Sequence, residues 1–186
     1  MKGFSFPQRA EVTPGNQQVF DRLTSLLGVV PNLYAGFAWS ENALRTYLAL
    51  ENSESSLNAR QRGAIHLIIS EVNDCGYCIT AYSQIARMNG FTAEEVKEIR
   101  LGTAGFDKEL DAMVRLAKNI AENGGACDDD IVEAFYRVGL TKENLVDIML
   151  VIGYTIIANY LQALIKVPID FPLTTDWENP LRHREG

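Results

Sequence analysis

Residues 70–82 read SEVNDCGYCITAY, and the interpretation of the whole chain starts from this stretch. Two residues separate Cys75 from Cys78, and the segment 79–88 that follows contains no Gly or Pro and alternates apolar and polar side chains at helical spacing. The sequence therefore predicts a helix that opens at or just before the cysteine pair. Backbone N–H groups at a helix start favour thiolate over thiol, and the thiolate is the nucleophile.

A Cys-x-x-Cys pair in this position has three interpretations. It is a redox dithiol that closes into a disulfide and reopens, half of a zinc site, or two small buried residues. Zinc needs about four ligands, commonly from a second Cys or His pair, and Cys127, His66 and His183 are not paired at such spacing. We therefore favour the redox dithiol, expect no metal and no cofactor, and expect Cys127 to be a bystander.

The composition indicates an ordinary globular domain. The chain has 186 residues, of which 47% are hydrophobic and 22% charged, so it is long enough for one domain with a full core. A net charge of −7 argues against nucleic acid or an anionic membrane as partner. The N-terminus lacks the long apolar segment of a signal peptide, and three cysteines do not suit a secreted disulfide framework. We expect a cytoplasmic protein.

Apolar periodicity predicts a single all-α domain over residues 1–186, with an N-terminal arm over 1–14 and an irregular tail over 173–186. The longest apolar segment, 145–165, is interrupted by polar residues, so we expect a buried or interface helix and not a membrane span. The predicted helices cover 17–27, 31–50 with a possible bend at 36–40, 58–72, the dithiol helix to 88, a short helix from 92, 107–123, 128–137 and 141–165.

Residues 71–78 follow the pattern Glu-Val-Asn-x-Cys-x-Tyr-Cys at the end of a predicted helix. The next predicted helix ends in Asn-Gly-Phe at residues 89–91. This pattern resembles the carboxymuconolactone decarboxylase and AhpD-like alkylhydroperoxidase superfamily, and in particular its peroxidase-related branch. The segments 31–33, 43–48, 159–160 and 168–172 support the resemblance, which covers roughly residues 31–172. The Cys-x-x-Cys core is specific for the superfamily but not for one reaction.

The resemblance implies an all-helical AhpD-like fold that assembles into trimers or hexamers and reduces hydroperoxides. It implies that Cys78 attacks the peroxide and that Cys75 resolves the product as a disulfide, whereas thioredoxin-like motifs would suggest the opposite order. It also implies a dithiol protein or lipoyl-type reductant as partner. Two other classes stay open: a lactone decarboxylase of the same fold, which needs no disulfide, and a non-enzymatic oligomer whose dithiol senses redox state.

The sequence departs from the family's peroxidase motif at two positions. The motif has His four residues after the second cysteine and Glu 12 residues before the first, and here these positions are Tyr82 and Gly63. His66 follows Gly63 by one helical turn, and histidine is suited to proton transfer near neutral pH. We hypothesise that His66 and Tyr82 form a re-sited relay around Cys78. The alternative is that His66 is a packed, hydrogen-bonded core residue and that Tyr82 fills space.

Two acidic residues flank the first cysteine on its N-terminal side. Glu71 lies four residues before Cys75, and it is a candidate to hydrogen-bond the turn or to act as a supporting carboxylate in the site. Asp74 is expected to cap the dithiol helix.

Overall fold

The computed structural model describes residues 4–170, and within them every regular element is helical. This confirms the prediction of an all-α fold; the predicted tail over 173–186 lies outside the described residues. A 3₁₀ turn at Arg9–Glu11 precedes the α-helices. These are α1 (Pro14–Leu27), α2 (Asn32–Phe37), α3 (Ala43–Glu51), α4 (Ala59–Val72), α5 (Gly76–Met88), α6 (Ala93–Arg100), α7 (Lys108–Glu122), α8 (Asp129–Arg137) and α9 (Lys142–Ile165).

Helix α4 is the centre of the fold. Its residues 63–71 are all buried, so the helix has no solvent face over more than two turns. A helix buried on every side must be surrounded by other elements, and α4 packs against α5, α6, α7 and α9. The dithiol segment follows α4 directly, so the chain carries it into the interior.

Polar caps fix where several helices begin. The side chains of Asn58, Thr92 and Thr141 each accept the backbone N–H three residues on, and each reciprocal capping box is complete. These caps satisfy donors that the first helical turn cannot pair internally. The expected starts of α4, α6 and α9 are confirmed.

The predicted helix over 31–50, for which a bend at 36–40 was expected, is two helices, α2 and α3, separated by residues 38–42, so the interruption overlaps the expected bend. Asn16 of α1 is buried, and its side-chain amide donates to the carbonyls of Ala38 at 3.1 Å and Ser40 at 3.0 Å. A side chain from another helix thus satisfies carbonyls at the break. Periodicity within 31–50 contains no information on that distant partner.

The N-terminal arm, α2 and α9 meet at Gly36. A Cβ atom at this position would lie 2.8 Å from Ile165 Cδ1 and would also contact the rings of Phe4 and Phe6. Trp39 Nε1 donates to the carbonyl of Ser5 at 2.8 Å. The absence of a side chain at position 36 therefore allows α2 to approach α9 closely.

Helix α9 is long and apolar enough for a membrane span, with 24 residues and a mean hydropathy of 1.8 over its most apolar 18 residues. Within this domain it packs against α2, α3, α4, α5 and α7, and 44% of its most apolar window is buried. These contacts are those of a core helix in a globular domain, and a further part of its apolar surface is exposed.

A buried ion pair joins the last turn of α4 to the end of α6. Glu71 Oε1 accepts from Arg100 Nε, and the two side chains are 3% and 1% exposed. Burial lowers the pKa of Arg100 to about 10, so the guanidinium remains charged at neutral pH. The pair fixes the segment from which the dithiol turn departs.

We expect Glu71→Ala to lower the free energy of unfolding by about 3–5 kcal/mol, because the buried guanidinium loses the carboxylate that compensates its charge. Urea unfolding measures this change. The matched control is Arg115→Ala, which breaks an exposed pair with Asp111 and should cost less than about 1 kcal/mol. Equal effects of the two substitutions would contradict the assigned role of the buried pair.

Candidate functional site

The turn between α4 and α5 positions the two cysteines. Asp74 is exposed and has a left-handed backbone with φ of 50°, and Cys75 is the N-cap residue of α5. The expectation that Asp74 caps this helix is wrong, because the turn directs its side chain to solvent. Cys75 Sγ instead accepts the backbone N–H of Cys78 at 3.4 Å. Such a donor stabilises negative charge on the Cys75 sulfur when the pair is reduced.

Cys75 and Cys78 form a disulfide, with a Cα–Cα distance of 5.3 Å. Both residues are only 1% exposed, so the oxidised pair lies beneath the surface. Gln162 Oε1 of α9 lies 3.4 Å from Cys75 Sγ, where it would accept a hydrogen bond from the reduced thiol. The site therefore contains a closed dithiol whose chemistry must occur away from bulk water.

A cavity of about 230 Å³ reaches this dithiol, and we call it the dithiol cavity. Cys78 lies in its wall, whereas Cys75 lies outside its lining. The cavity combines apolar walls with phenol groups and one carboxylate. Its other lining residues are Leu27, Pro31, Leu33, Tyr34, Glu51, Tyr77, Ala81, Tyr82, Gln84, Ile85 and Met88. The volume suits a small molecule, since pockets for drug-sized ligands have about 300–1,000 Å³.

Tyr82 also lines this cavity, one helical turn after Cys78 on α5. On its far side the ring stacks on His66, with centroids 4.3 Å apart and an interplanar angle of 6°. Burial, with a smaller effect of the nearby Glu51 carboxylate, holds the pKa of Tyr82 well above its usual value. Tyr82 is therefore a cavity-lining residue whose phenol remains protonated and neutral.

His66 is buried behind Tyr82 and does not line the cavity. Its Nδ1 lies 2.7 Å from Thr155 Oγ1, and that hydroxyl donates its own proton to the Val151 carbonyl at 2.6 Å. A hydroxyl has one proton to donate, so His66 Nδ1 is the donor to Thr155. Burial, together with the nearby Arg62 charge, lowers the pKa of His66 to about 3, and the ring is neutral at physiological pH.

Of the candidate residues from the sequence, the structure brings Cys78, Cys75 and Tyr82 together at one end of α5. His66 contacts this group only through the Tyr82 ring. Glu71 is directed away from the cavity into its ion pair with Arg100. Among residues 4–170, no three His, Cys, Asp or Glu side chains converge as potential metal ligands.

The sequence interpretation missed a carboxylate in the cavity wall. Glu51, the last residue of α3, accepts from the hydroxyl of Tyr34 at 2.9 Å and more weakly from that of Tyr47 at 3.4 Å. Tyr47 in turn lies close enough to Tyr82 for the two phenols to affect each other's pKa. Burial raises the pKa of Glu51 above that of an ordinary carboxyl. The Tyr47–Glu51 spacing of four residues was the available signal, but on its own it indicates only a neighbouring pair on a helix.

Tyr77, which also lines the dithiol cavity, is hydrogen-bonded to Asp170, the last residue that the structure describes. Tyr77 donates to Asp170 Oδ1 at 3.0 Å, and Asp170 Oδ2 accepts the backbone N–H of Asn32 at the start of α2. Asp170 thus joins α2 to the first turn of the dithiol helix. Burial and this carboxylate raise the pKa of Tyr77.

Fold and site together define a class: an all-helical domain with a Cys-x-x-Cys disulfide at the start of a core helix. The sequence model of the carboxymuconolactone decarboxylase family matches residues 38–119, a range that includes both cysteines. Over these residues the chain matches the family that its motif predicted. A comparison with curated protein sequences found no match.

Solved structures resemble the chain over most of its length. Peroxidase-related proteins from Silicibacter and from Ralstonia eutropha, the second described as an alkylhydroperoxidase AhpD core, have TM-scores of 0.80 and 0.81. Each is 20% identical and covers 90% of this chain and 91% of its own. The debrominase Bmp8 in complex with 2,3,4-tribromopyrrole has a TM-score of 0.76 at 18% identity, covering 91% of this chain and 92% of its own. The TM-scores show that these proteins share the fold of this chain, and at such low identity the similarity extends to the fold alone.

The buried His66 gives a pH prediction. In the unfolded chain the imidazole binds a proton near its ordinary pKa of 6.5, whereas the folded chain binds it only near pH 3. The unfolded state therefore holds more protons between these values, and stability falls as the pH drops below 6.5. The loss is about 1.4 kcal/mol for each pH unit from this group.

We expect His66→Gln to make the decline in unfolding free energy between pH 6.5 and 4.5 shallower than in the wild type. Urea unfolding at a series of pH values, with the disulfide intact in both proteins, measures the two slopes. Carboxyl groups titrate in both proteins, so the difference isolates the histidine. Identical slopes would mean that the buried imidazole is not held neutral.

Proposed function

We propose that the chain is a thiol-dependent hydroperoxide reductase in which Cys78 attacks the peroxide and Cys75 resolves the product. The observation that carries the proposal is the asymmetry of the pair: Cys78 lies in the cavity wall, whereas Cys75 lies outside its lining. A small substrate in the cavity meets the Cys78 sulfur first. Cys75 lies within bonding distance of that sulfur, as their disulfide demonstrates.

The reaction conserves atoms and electrons. The Cys78 thiolate attacks the terminal peroxide oxygen, the O–O bond breaks, and the leaving alkoxide takes a proton to become an alcohol. Cys75 then attacks the sulfur of the resulting sulfenic acid and displaces hydroxide, which is protonated to water. The two thiols supply both electrons and both protons, so each cycle consumes one hydroperoxide and leaves one disulfide.

Because the disulfide is buried, its reductant must be narrow enough to enter the cavity. A thiolate must approach one sulfur to reopen the bond, and both cysteines are 1% exposed. We infer that a dithiol on a narrow arm, such as a lipoyl group, or a small dithiol reaches Cys78 through the cavity. A reducing cytoplasm would maintain such a partner in its dithiol form.

The other candidate residues receive roles from their contacts. Tyr82 lines the cavity together with Cys78, and we assign its hydroxyl to proton exchange with the substrate. His66 supports the Tyr82 ring by stacking, which makes it a positioning residue. Glu71 holds the end of α4, and with it the dithiol turn, through Arg100.

We expect the reduced wild-type protein to lose two thiols per chain on treatment with a small alkyl hydroperoxide and to regain them with dithiothreitol. Cys78→Ser should abolish the loss, because no sulfur then faces the cavity. Cys75→Ser should stop at a sulfenic acid that dimedone traps. Thiol titration and mass spectrometry measure these states, with Cys127→Ser as the control that retains the two-thiol loss.

The outcomes of this assay separate the functions. Continued hydroperoxide consumption with dihydrolipoamide supports an enzyme, whereas a single oxidation without turnover supports a redox sensor. A Cys78→Ser variant that still consumes peroxide at the wild-type rate would refute the assignment. Lactone decarboxylation by Cys75→Ser and Cys78→Ser variants alike would favour a decarboxylase that does not use the dithiol.

One observation favours a second candidate, reductive dehalogenation of a small aromatic compound. Three tyrosines and several aliphatic side chains line the dithiol cavity, and such walls bind flat apolar rings. The debrominase Bmp8 has the same fold. Replacing carbon-bound bromide by hydrogen needs two electrons and a proton, which the dithiol supplies as it closes. Bromide release from a bromopyrrole, faster than hydroperoxide consumption, would favour this function.

We also propose that the chain forms homo-oligomers through α9. Val146, Leu150, Ile157, Tyr160 and Leu164 of this helix are 45–62% exposed. Apolar surface of this kind is stabilised when a second copy covers it. We expect a trimer or hexamer in analytical ultracentrifugation, and Leu164→Lys should shift it towards the monomer, because a charge at the interface would have to be desolvated. A monomeric wild-type protein would contradict the proposal.

A further inference from the structure

Glu51 is situated between two cavities. It lines the dithiol cavity, and it also lines a second, more open groove of about 450 Å³, which we call the polar groove. The polar groove is surrounded by the loop after α3 and by one α4 side chain. Its other lining residues are Asn52, Ser53, Glu54, Ser55, Leu57 and Arg62. Among the residues that line these two cavities, Glu51 is the one carboxylate common to both.

Glu51 is hydrogen-bonded to tyrosine hydroxyl groups, and it shares the dithiol cavity with Tyr82 and Cys78. Tyr34 donates to one Glu51 oxygen at 2.9 Å, and Tyr47 approaches the other at 3.4 Å. Tyr47 is close enough to Tyr82 for the two phenols to affect each other's pKa, and Tyr82 lies one helical turn after Cys78 and lines the same cavity. A hydroxyl both donates and accepts a hydrogen bond, so we infer that small movements of these phenols within the shared cavity allow a proton to pass between Cys78 and Glu51.

The surroundings of Glu51 are almost entirely neutral on the dithiol side. Desolvation there disfavours a carboxylate, and the two phenol hydrogen bonds only partly compensate, so the pKa of Glu51 is raised. The titratable and charged groups that face it from the neighbouring elements are Tyr34 on α2, Tyr47 on α3, Glu54 in the loop, Arg62 on α4, Tyr82 on α5 and Tyr154 on α9. The tyrosines are all held neutral by burial, which leaves Glu51 as the group able to change charge in the cavity wall besides the cysteine.

We propose that Glu51, whose carboxylate also borders solvent in the polar groove, accepts the proton of Cys78 and returns it to the leaving group, and that it thereby replaces the acid–base pair that the family motif has at positions 63 and 82. This proposal rests on the proposed thiol chemistry of Cys78. Glu51 lies on α3, whereas the motif positions lie on α4 and α5, and the packing of these helices places Glu51 in the wall of the dithiol cavity.

The proton balance follows directly. The Cys78 thiol gives its proton, through Tyr82 and Tyr47, to the Glu51 carboxylate and becomes the attacking thiolate. When the O–O bond breaks, the Glu51 carboxyl returns that proton to the leaving alkoxide. The proton of Cys75 leaves in the second step with the displaced hydroxide as water, so Glu51 ends each cycle ionised, as it began.

The first test is Glu51→Gln, which keeps the size and the hydrogen-bond acceptor of the side chain but cannot ionise. We expect its second-order rate of reaction with an alkyl hydroperoxide to fall by about 100-fold, in the range typical of general acid–base groups. The matched control is Glu54→Gln, which lines the polar groove but not the dithiol cavity and should retain the wild-type rate.

A pH profile distinguishes proton transfer from a structural role. In the wild type the rate should fall on the acid side as Glu51 becomes protonated and can no longer accept the thiol proton. Glu51→Gln should lack this acid limb at every pH, whereas a merely structural loss would lower the whole profile and leave its shape unchanged. An unchanged rate or an unchanged acid limb in Glu51→Gln would overturn the proposal.

Tyr82→Phe provides a second variant, because it removes the linking hydroxyl and keeps the ring that stacks on His66. We expect its rate to fall by about tenfold, which corresponds to a change of about 1.4 kcal/mol in the barrier. If Glu51→Gln does not fold, the rate of Tyr82→Phe tests the proposal. A wild-type rate in Tyr82→Phe would show that the Tyr82 hydroxyl does not transfer the proton. If the wild type itself does not lose thiols to the hydroperoxide, the proposed function is refuted. If the wild type reacts and the variants Glu51→Gln and Tyr82→Phe react at the same rate, only the role of Glu51 is refuted.

Discussion

Helix α4 is buried along residues 63–71, and a helix in that position delivers the segment after it to the interior of the molecule. The cysteines come immediately after its last turn, so their burial is a consequence of the topology and not of their own hydrophobicity. Burial raises the free energy of a thiolate. At Cys75 the start of α5 offsets this cost, because the Cys78 N–H faces the Cys75 sulfur. At Cys78 the cavity provides a route to the buried sulfur. Access, charge and proton supply at this site all follow from the central position of one helix.

Much of this arrangement could be predicted from local sequence. The Cys-x-x-Cys spacing, the uninterrupted helical pattern after it and the capping residues Asn58, Thr92 and Thr141 are local signals, and each acts within a few residues of the position it specifies. They predicted the all-α fold and the dithiol at a helix start. Asp74 was misassigned because its side chain type favours a cap, whereas its left-handed backbone excludes that geometry.

The parts that could not be predicted depend on partners far away in the chain. A bend was expected near the break between α2 and α3, but the residue that stabilises the break, Asn16, lies more than 20 residues earlier. Glu71 could be identified as a functional candidate from its distance to Cys75, but its actual partner, Arg100, lies on α6. Glu51 is separated from Tyr82 by a loop and the whole of α4. No periodicity or motif connects such pairs, because their proximity is created by packing.

The charge states around the cavity explain why a carboxylate from another helix suits this site. A histidine in this interior is neutral, as the lowered pKa of His66 demonstrates, and it would need to acquire a costly buried charge to accept a proton. The tyrosine hydroxyls can pass a proton along while they remain neutral, because burial holds their pKa values far above the physiological range. Glu51 lies where the apolar cavity meets the polar groove, so its charge can be solvated from one side while its proton is exchanged with the other. In a buried dithiol site, the favourable location for the ionisable group is therefore the boundary with solvent, with neutral hydroxyls between it and the sulfur.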